Sequence, residues 1–388
     1  MNKIKIIDFY SINNFHEIVN FCLLQSFCKM FSSVEYKIGK SVYNNIKRQL
    51  ENENLTFSNL KLEKKWVVEK DTLLGAFLRI LFGFFIVLKE YIFLRKNEYL
   101  YINYNNPFAL PIILFLNTFY KKKVLIIFHG ELELLITKVS KRKLSYLYTT
   151  LNRFSFKFLL NKSNIKIIVL GYSIKNNLSS LFPKIKDNII SINHPYVFKE
   201  HQNSSIRLSN QLTIGTVGVL NTQKGLNELI DISNHFSKEI KAGTLKIKVI
   251  GKTEKTFNKG DFKNITWSPD TFIPRDVFDK EIDTLDFILY LYPKDSYKLT
   301  ASGAIFDAFS REKPIIALEN DYFKDTIENM KVGYLCNSLA EIISTIENLL
   351  TKDSLQIKES FTEDIKAIKK YFEIDYVTNQ LKSAIIDF

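Results

Sequence analysis

Short runs rich in β-branched and aromatic residues alternate with longer helical patterns from one end of the chain to the other, and few architectures accept that rhythm. In the first half EYLYINY (Glu98–Tyr104), KVLIIFH (Lys123–His129), IKIIVLG (Ile165–Gly171) and NIISINH (Asn188–His194) read as strands separated by helical segments. The rhythm restarts with LTIGTVGVL, the helix GLNELIDISNHF, LKIKVIG, the short ITW, the helix RDVFDKEI, DFILYLYP, a helix after Ser302, and KPIIAL. Such alternation stacks β-α-β units into parallel sheets. The 388 residues exceed what one core usually supports, so the expectation is α/β with two Rossmann-like parallel-sheet domains facing a cleft. Between Val197 and Gln211 the text turns polar without apolar periodicity, which marks a linker at 197–211 between domains spanning 1–196 and 212–370. From Ala340 onward the pattern is helical, and 371–388 is taken as a last helix crossing back to the first domain.

Composition narrows the class. Hydrophobic residues make up 46% of the chain and aromatic ones 14%, enough for packed cores. Cys22, Cys28 and Cys336 form no C-x-x-C pair, which suits a reducing cytosol and offers no metal site. The N-terminal MNKIKIIDFYSINNFHEI has too short an apolar core for a signal peptide. The greasiest segment, Leu73 to Leu88, is shorter than the roughly 20 apolar residues that span a bilayer and contains Arg79, so it reads as a buried or interfacial helix. Charge is divided unevenly: residues 1–196 hold 29 Lys/Arg against 13 Asp/Glu, and the remainder 25 against 28. That split points to an anionic partner for the first half, a membrane surface or nucleic acid. Codon bias toward lysine and asparagine would load both halves alike. The dispersed basic residues and the lack of a nucleic-acid motif favour the membrane.

In open parallel sheets ligands bind at the carboxyl ends of the strands. Two loops occupy that place in the second half. After DFILYLYP, the loop KDSYKLTA delivers Tyr297, Thr300, Ser302 and Gly303 toward a helix start, where free N–H groups and the dipole suit phosphate and Thr300 or Ser302 can act as a cap. Asp307, four residues after Gly303, can accept from a ribose diol; read blandly, this is an ordinary capped helix with a solvated acid. After VGVL come Asn221, Thr222 and Gln223, then Lys224-Gly225, a point charge for a diphosphate beside a glycine that permits close ligand approach. Neither loop is a P-loop or a G-x-G-x-x-G fingerprint.

Together VGVLNTQKGLNELI, KVIG, FIPRDVFDKEIDTLDFILYLYP, SGAIFDAFSREKPIIA and VGYLC resemble the donor domain of GT-B glycosyltransferases, above all the family 4 type of bacterial surface polysaccharide synthesis. The resemblance is best over Leu212 to Leu350. It implies that Lys224 contacts the donor diphosphate and that Asp307, shortened from the family's glutamate, holds the nucleotide ribose. The family's arginine after the first glycine is Val219 here, and its first glutamate falls at Leu299, so Thr300, Ser302 and backbone amides are expected to take over part of that role. The first half is similar more weakly. It implies that His129, with Glu131 next, faces the donor across the cleft, while Gly130, Gly171, Tyr172 and Ser173 line the acceptor side and His194-Pro195-Tyr196 shapes the hinge.

These readings converge on a metal-independent transferase without a resident cofactor. Its donor is a nucleotide-diphosphate sugar, and its acceptor is a saccharide or polyprenyl-linked saccharide. The expected place is cytoplasmic, peripheral at the inner face of the membrane, with no nucleic acid partner. A sugar-nucleotide epimerase and a non-catalytic sugar-nucleotide-binding protein are the alternatives.

Overall fold

The structure is a computed structural model that describes residues 1–137, 144–198, 211–253, 257–269, 273–327, 330–351, 354–386 and 388. Most of the expected linker, 199–210, lies outside the described residues. Two compact units emerge: Met1–Val197 with Leu299–Ala301 and Tyr371–Phe388, and Phe198–Lys298 with Ser302–Lys370.

The first unit is built on seven strands: β1 (Lys3–Asp8), β2 (Ser33–Ile38), β3 (Leu60–Lys64), β4 (Glu98–Ile102), β5 (Lys123–Ile127), β6 (Ile165–Val169) and β7 (Ile189–Ser191). Their order is β3-β2-β1-β4-β5-β6-β7, and every pair is parallel. All five residues of β4 are buried, as a parallel strand covered on both faces requires. The four strands read in the sequence form one side of this sheet. The unread β1, β2 and β3 carry lysines and glutamates that break the apolar run. Lys3 pairs with Glu35 at 2.7 Å and Lys5 with Glu98 at 2.9 Å across neighbouring strands, while Lys37 pairs at 2.7 Å with Glu90 of the helix Leu73–Ile92. Burial opposes ionisation of Glu35, but Lys3 and Lys37 hold its carboxyl down at about 2.

The second unit has β8 (Leu212–Val217), β9 (Leu245–Ile250), β10 (Ile265–Trp267), β11 (Phe287–Tyr290), β12 (Ile315–Leu318) and β13 (Gly333–Cys336), ordered β10-β9-β8-β11-β12-β13 and wholly parallel. In each sheet the strand order reverses once, at β1/β4 and at β8/β11. Helices leave the sheet in opposite directions there, so the strand ends stay uncovered.

The greasy segment is the helix Leu73–Ile92, capped by Thr72, whose hydroxyl accepts from the Gly75 N–H at 3.1 Å. Gly75, Arg79, Gly83, Val87 and Tyr91 recur every four residues on its buried face. A Cβ at Gly83 would lie 2.0 Å from the Phe9 ring, so this helix reaches the end of β1 through a glycine. Leu73, Leu74, Phe77, Leu81 and Phe85 are exposed on the other side. No helix among the described residues is long and apolar enough to cross a membrane.

The last helix, Ile374–Ile385, belongs to the first unit. Val377, Leu381 and Ile385 are buried in the same cluster as Phe27 of the helix Glu17–Met30, and Thr378 Oγ1 donates to Ser26 Oγ at 2.9 Å. Leu381 is 0% exposed. Leu381→Ala should therefore destabilise the first unit by about 2–5 kcal/mol. Chemical denaturation of the variant and the wild type checks this, and a difference under about 0.5 kcal/mol contradicts the packing described.

Candidate functional site

Each reversal point collects polar residues in a way the apolar strands around it do not. In the first unit Asp8 ends β1 and is 3% exposed. Its Oδ1 accepts from the Tyr10 and Ser11 N–H groups at 3.1 and 2.8 Å, and its Oδ2 accepts from Asn103 Nδ2, just past β4, at 2.7 Å. The carboxylate thereby ties the β1 and β4 ends together. Beyond this tie the Tyr10 and Tyr104 rings stack at 3.8 Å with a 9° tilt.

His129 follows β5 and is 7% exposed. Its ring stacks on His16 at 3.9 Å and 12°. Burial keeps the imidazole far below its ordinary titration range, the nearness of His16 and His194, where a second charge would repel the first, acts the same way, and the Asn103 backbone opposes them. His16 and His194 are themselves lowered to about 4, in both cases mainly by burial. Three of the chain's five histidines thus meet as neutral rings at one strand-end cluster. His194, expected to shape a hinge, joins that cluster. Glu131 sits two residues on, in the short helical turn Glu131–Leu135. Its Oε2 accepts from the His129 N–H at 3.0 Å, while Oε1 and the His129 Nε2 are buried without a partner. Burial raises the Glu131 carboxyl to about 7, against the N–H groups of Glu131 and His129. A carboxyl poised there can exchange a proton near neutral pH. Of the expected acceptor-side residues, Gly130 starts the Glu131 turn and is exposed, Gly171 takes φ 147° before the helix Tyr172–Leu181, Tyr172 is exposed and Ser173 is buried.

In the second unit Lys224 closes the single turn Thr222–Lys224 after β8. Gly225 follows at φ +85°, and a Cβ there would lie 2.2 Å from the Leu291 carbonyl oxygen. Close packing on the end of β11 therefore requires a glycine here, a reason that the sequence reading did not contain. Lys224 Nζ lies 5.7 Å from the centroid of Tyr292 and makes no hydrogen bond or ion pair among the described residues. Burial lowers the ammonium's pKa, and the charge of Asp307 raises it. Asn221 Oδ1, beside it, is buried without a partner.

Asp307 accepts from Arg275 Nη1 at 2.9 Å, so it is an ion-paired acid rather than a solvated one. The helix that carries it, Ile305–Ser310, starts later than expected and has no side-chain cap. Ser302 is turned to the Tyr292 hydroxyl at 3.2 Å instead, and Tyr297 stacks on Tyr292 at 4.5 Å with a left-handed φ of 58°. Gly303 accepts from the Phe306 N–H at 3.3 Å. Thr300 groups with the first unit, where its hydroxyl and the Leu299 N–H donate to Glu133 Oε2 at 3.3 and 2.8 Å. Neither Thr300 nor Ser302 therefore caps the helix.

No family model matches the sequence, and no curated protein does. Solved structures do. The Anabaena HepE structure in complex with UDP and glucose matches at a TM-score of 0.64 and 12% identity, over 100% of both chains. A variant of S. aureus TarM in complex with fondaparinux, alpha-GlcNAc-glycerol and UDP matches at 0.64 and 12%, over 99% of both. The trehalose-6-phosphate synthase OtsA matches at 0.63 and 10%, over 100% of this chain and 99% of its own. These neighbours are glycosyltransferases of one fold. The chain has the GT-B fold.

Within this GT-B chain, sequence reasoning named Lys224, Asp307, His129 and Glu131 but missed the residues that condition them. Arg275 sits 32 positions before its partner Asp307, and His16 and Tyr10 fall in a loop whose strand was not read. Tyr292 lay in view inside DFILYLYP, yet only the fold places it beneath Lys224.

The Glu131 environment makes a measurable difference to stability. Because the folded pKa is raised from 4.5 to about 7, the native state holds a proton that the unfolded chain has lost, so this group's contribution falls as pH rises from about 4.5 to 7. Glu131→Gln keeps the acceptor for the His129 N–H and removes the ionisation. The variant should gain stability relative to wild type across that window, by on the order of 3 kcal/mol by pH 8. Unfolding curves at pH 5, 6.5 and 8 test it, and a constant difference between the two proteins would rule it out.

Proposed function

We propose that this protein is a glycosyltransferase that moves a sugar from a nucleotide-diphosphate donor to a saccharide or lipid-linked saccharide acceptor in surface polysaccharide synthesis. The observation that carries this is Lys224: a half-buried ammonium at a sheet's reversal point, over a tyrosine ring, with no ion pair of its own among the described residues. A cation held out of water there supplies the charge that a departing diphosphate needs. UDP or UDP-glucose in HepE, and UDP in the TarM complex, lend the same direction to the reading. Asp307, steadied by Arg275, reads a ribose diol, and Glu131 accepts the proton of the attacking hydroxyl. In this reading the donor phosphates are met by Lys224 and backbone amides, so turnover needs no divalent metal and persists in EDTA. The first unit meets an anionic membrane surface at the cytoplasmic side.

Donor binding is tested by thermal unfolding with UDP, GDP, CDP and dTDP sugars. A donor at 100 times its dissociation constant should stabilise the protein by about 2.7 kcal/mol. A panel without any shift removes the main support. Lys224→Ala should lower kcat by roughly 100-fold with a smaller loss of donor affinity, because its interaction strengthens toward the transition state. Asp307→Asn should instead raise the donor KM about tenfold and weaken free nucleotide diphosphate in parallel, as uniform binding does. Equal effects of both variants on kcat would argue against this division of roles.

Membrane contact rests on the exposed faces of two helices in the first unit. Phe85 and Leu74 project from Leu73–Ile92, and Phe115 and Phe119 from the helix Ala109–Tyr120. Near-surface lysines and arginines add on the order of 1 kcal/mol each on anionic lipid. Sedimentation with phosphatidylglycerol vesicles at low salt should bring the protein down, and high salt should weaken the binding. A protein left in the supernatant at low salt contradicts the assignment.

A further inference from the structure

The reversal point between β1 and β4 opens into a cavity of about 510 Å³. Tyr10, Asn13, Asn14 and Phe15, from the loop after β1, line it together with Leu73 and Arg79 of the helix Leu73–Ile92. The loop is held in an unusual path, with Asn13 and His16 both at φ 52°. Tyr10 forms a firm wall because it is stacked on Tyr104, and the Arg79 guanidinium lies 5.1 Å from its ring centroid.

Arg79 is only 5% exposed. Its Nη1 donates to the Val68 and Lys70 carbonyls at 3.0 and 2.9 Å, which fixes the plane of the guanidinium. Its Nε is buried without a partner, and no carboxylate forms an ion pair with it among the described residues. Asp71 also lines the cavity but is exposed to water. A buried cation with a spare donor and no counter-ion is unfavourable unless an anion arrives to meet it. The guanidinium fork suits phosphate oxygens.

Where the helix begins, at the mouth of the cavity, the chemistry changes. Leu73 is 92% exposed, and Leu74, Phe77, Leu81 and Phe85 continue the apolar surface along the same helix. A charged base and an apolar track from the mouth match one kind of molecule. The geometry points to this cavity as the site for the phosphate head of a lipid-linked acceptor, with Arg79 holding the phosphate, Asn13 and Asn14 offering amides to its oxygens, and the lipid chain lying along Leu73, Leu74 and Phe77. This assignment rests on the acceptor being lipid-linked, and it deepens the transferase reading by saying where the first unit takes hold of it.

The test is titration calorimetry of the full chain with farnesyl phosphate below its micelle concentration, beside farnesol and inorganic phosphate alone. Farnesyl phosphate should bind at least tenfold more tightly than either. Arg79→Met should weaken it at least tenfold, and Leu73→Glu at least threefold with the unfolding temperature unchanged. If Arg79→Met fails to fold, the Leu73→Glu result decides, since that side chain is in water. Farnesol binding as tightly as farnesyl phosphate would reduce the site to apolar adhesion, and inorganic phosphate doing so would make it a free-anion site. Either overturns the proposal. UDP is titrated in parallel. Retained UDP binding without preference for farnesyl phosphate overturns this site alone, whereas preference for farnesyl phosphate without UDP binding upholds the site and removes the donor reading.

Discussion

A parallel sheet must be covered on both faces, and its crossovers must therefore change sides at one place. There the loops diverge, and no helix covers the strand ends. Two such places occur in this protein, β1/β4 and β8/β11. At β1/β4 the buried Asp8 ties one strand end to Asn103 past the other. Both places also set a cation over a tyrosine ring, Arg79 over Tyr10 and Lys224 over Tyr292. Neither cation has an ion pair among the described residues, and each is shielded from water. Arg79 also serves the Val68 and Lys70 carbonyls, whereas Lys224 Nζ makes no hydrogen bond among the described residues.

The histidine and Glu131 cluster follows the same logic at lower polarity. Three imidazoles are kept neutral by burial, and one carboxyl is kept near neutrality in its titration. Desolvation acts in opposite directions on the two residue types, lowering histidine and raising glutamate. The result is a group able to give or take a proton beside rings that stay uncharged. Tyr104 and Tyr148 complete the surroundings, and burial with the Glu131 charge nearby pushes their phenols well above the ordinary range.

The architecture was largely legible in the sequence because strands β4 to β12 are β-rich and mostly continuous apolar runs, and because glycine, asparagine and proline punctuate them. What escaped notice had a physical cause. The charges of β1 and β2 find their partners only when the strands lie side by side and the helix Leu73–Ile92 packs on them, and β3 is interrupted by Lys61, Glu63 and Lys64, so each strand alone reads as polar. Site residues followed the same rule. Lys224 could be named because it follows a strand and stands beside a glycine at the mouth of a helix, but the packing of Gly225 against Leu291 exists only in three dimensions. Thr300 and Ser302 were read as caps of a helix that begins at Ile305. Arg79 was noticed for interrupting a greasy segment, while its missing counter-ion became visible only with the packing of Tyr10 and the Val68 and Lys70 carbonyls.

The donor reading stands or falls with a nucleoside diphosphate held against Lys224 at the reversal point of the second sheet. Hydrogen exchange with and without the nucleoside diphosphate that shifts unfolding most addresses it directly, because bound phosphate withdraws specific backbone N–H groups from solvent. Exchange should slow only at the amides around Asn221–Leu226 and Ser302–Asp307, and Lys224→Ala should need a higher ligand concentration to reach the same protection. Unchanged exchange in both segments at saturating ligand, or the same ligand dependence of protection in Lys224→Ala as in the wild type, would contradict it.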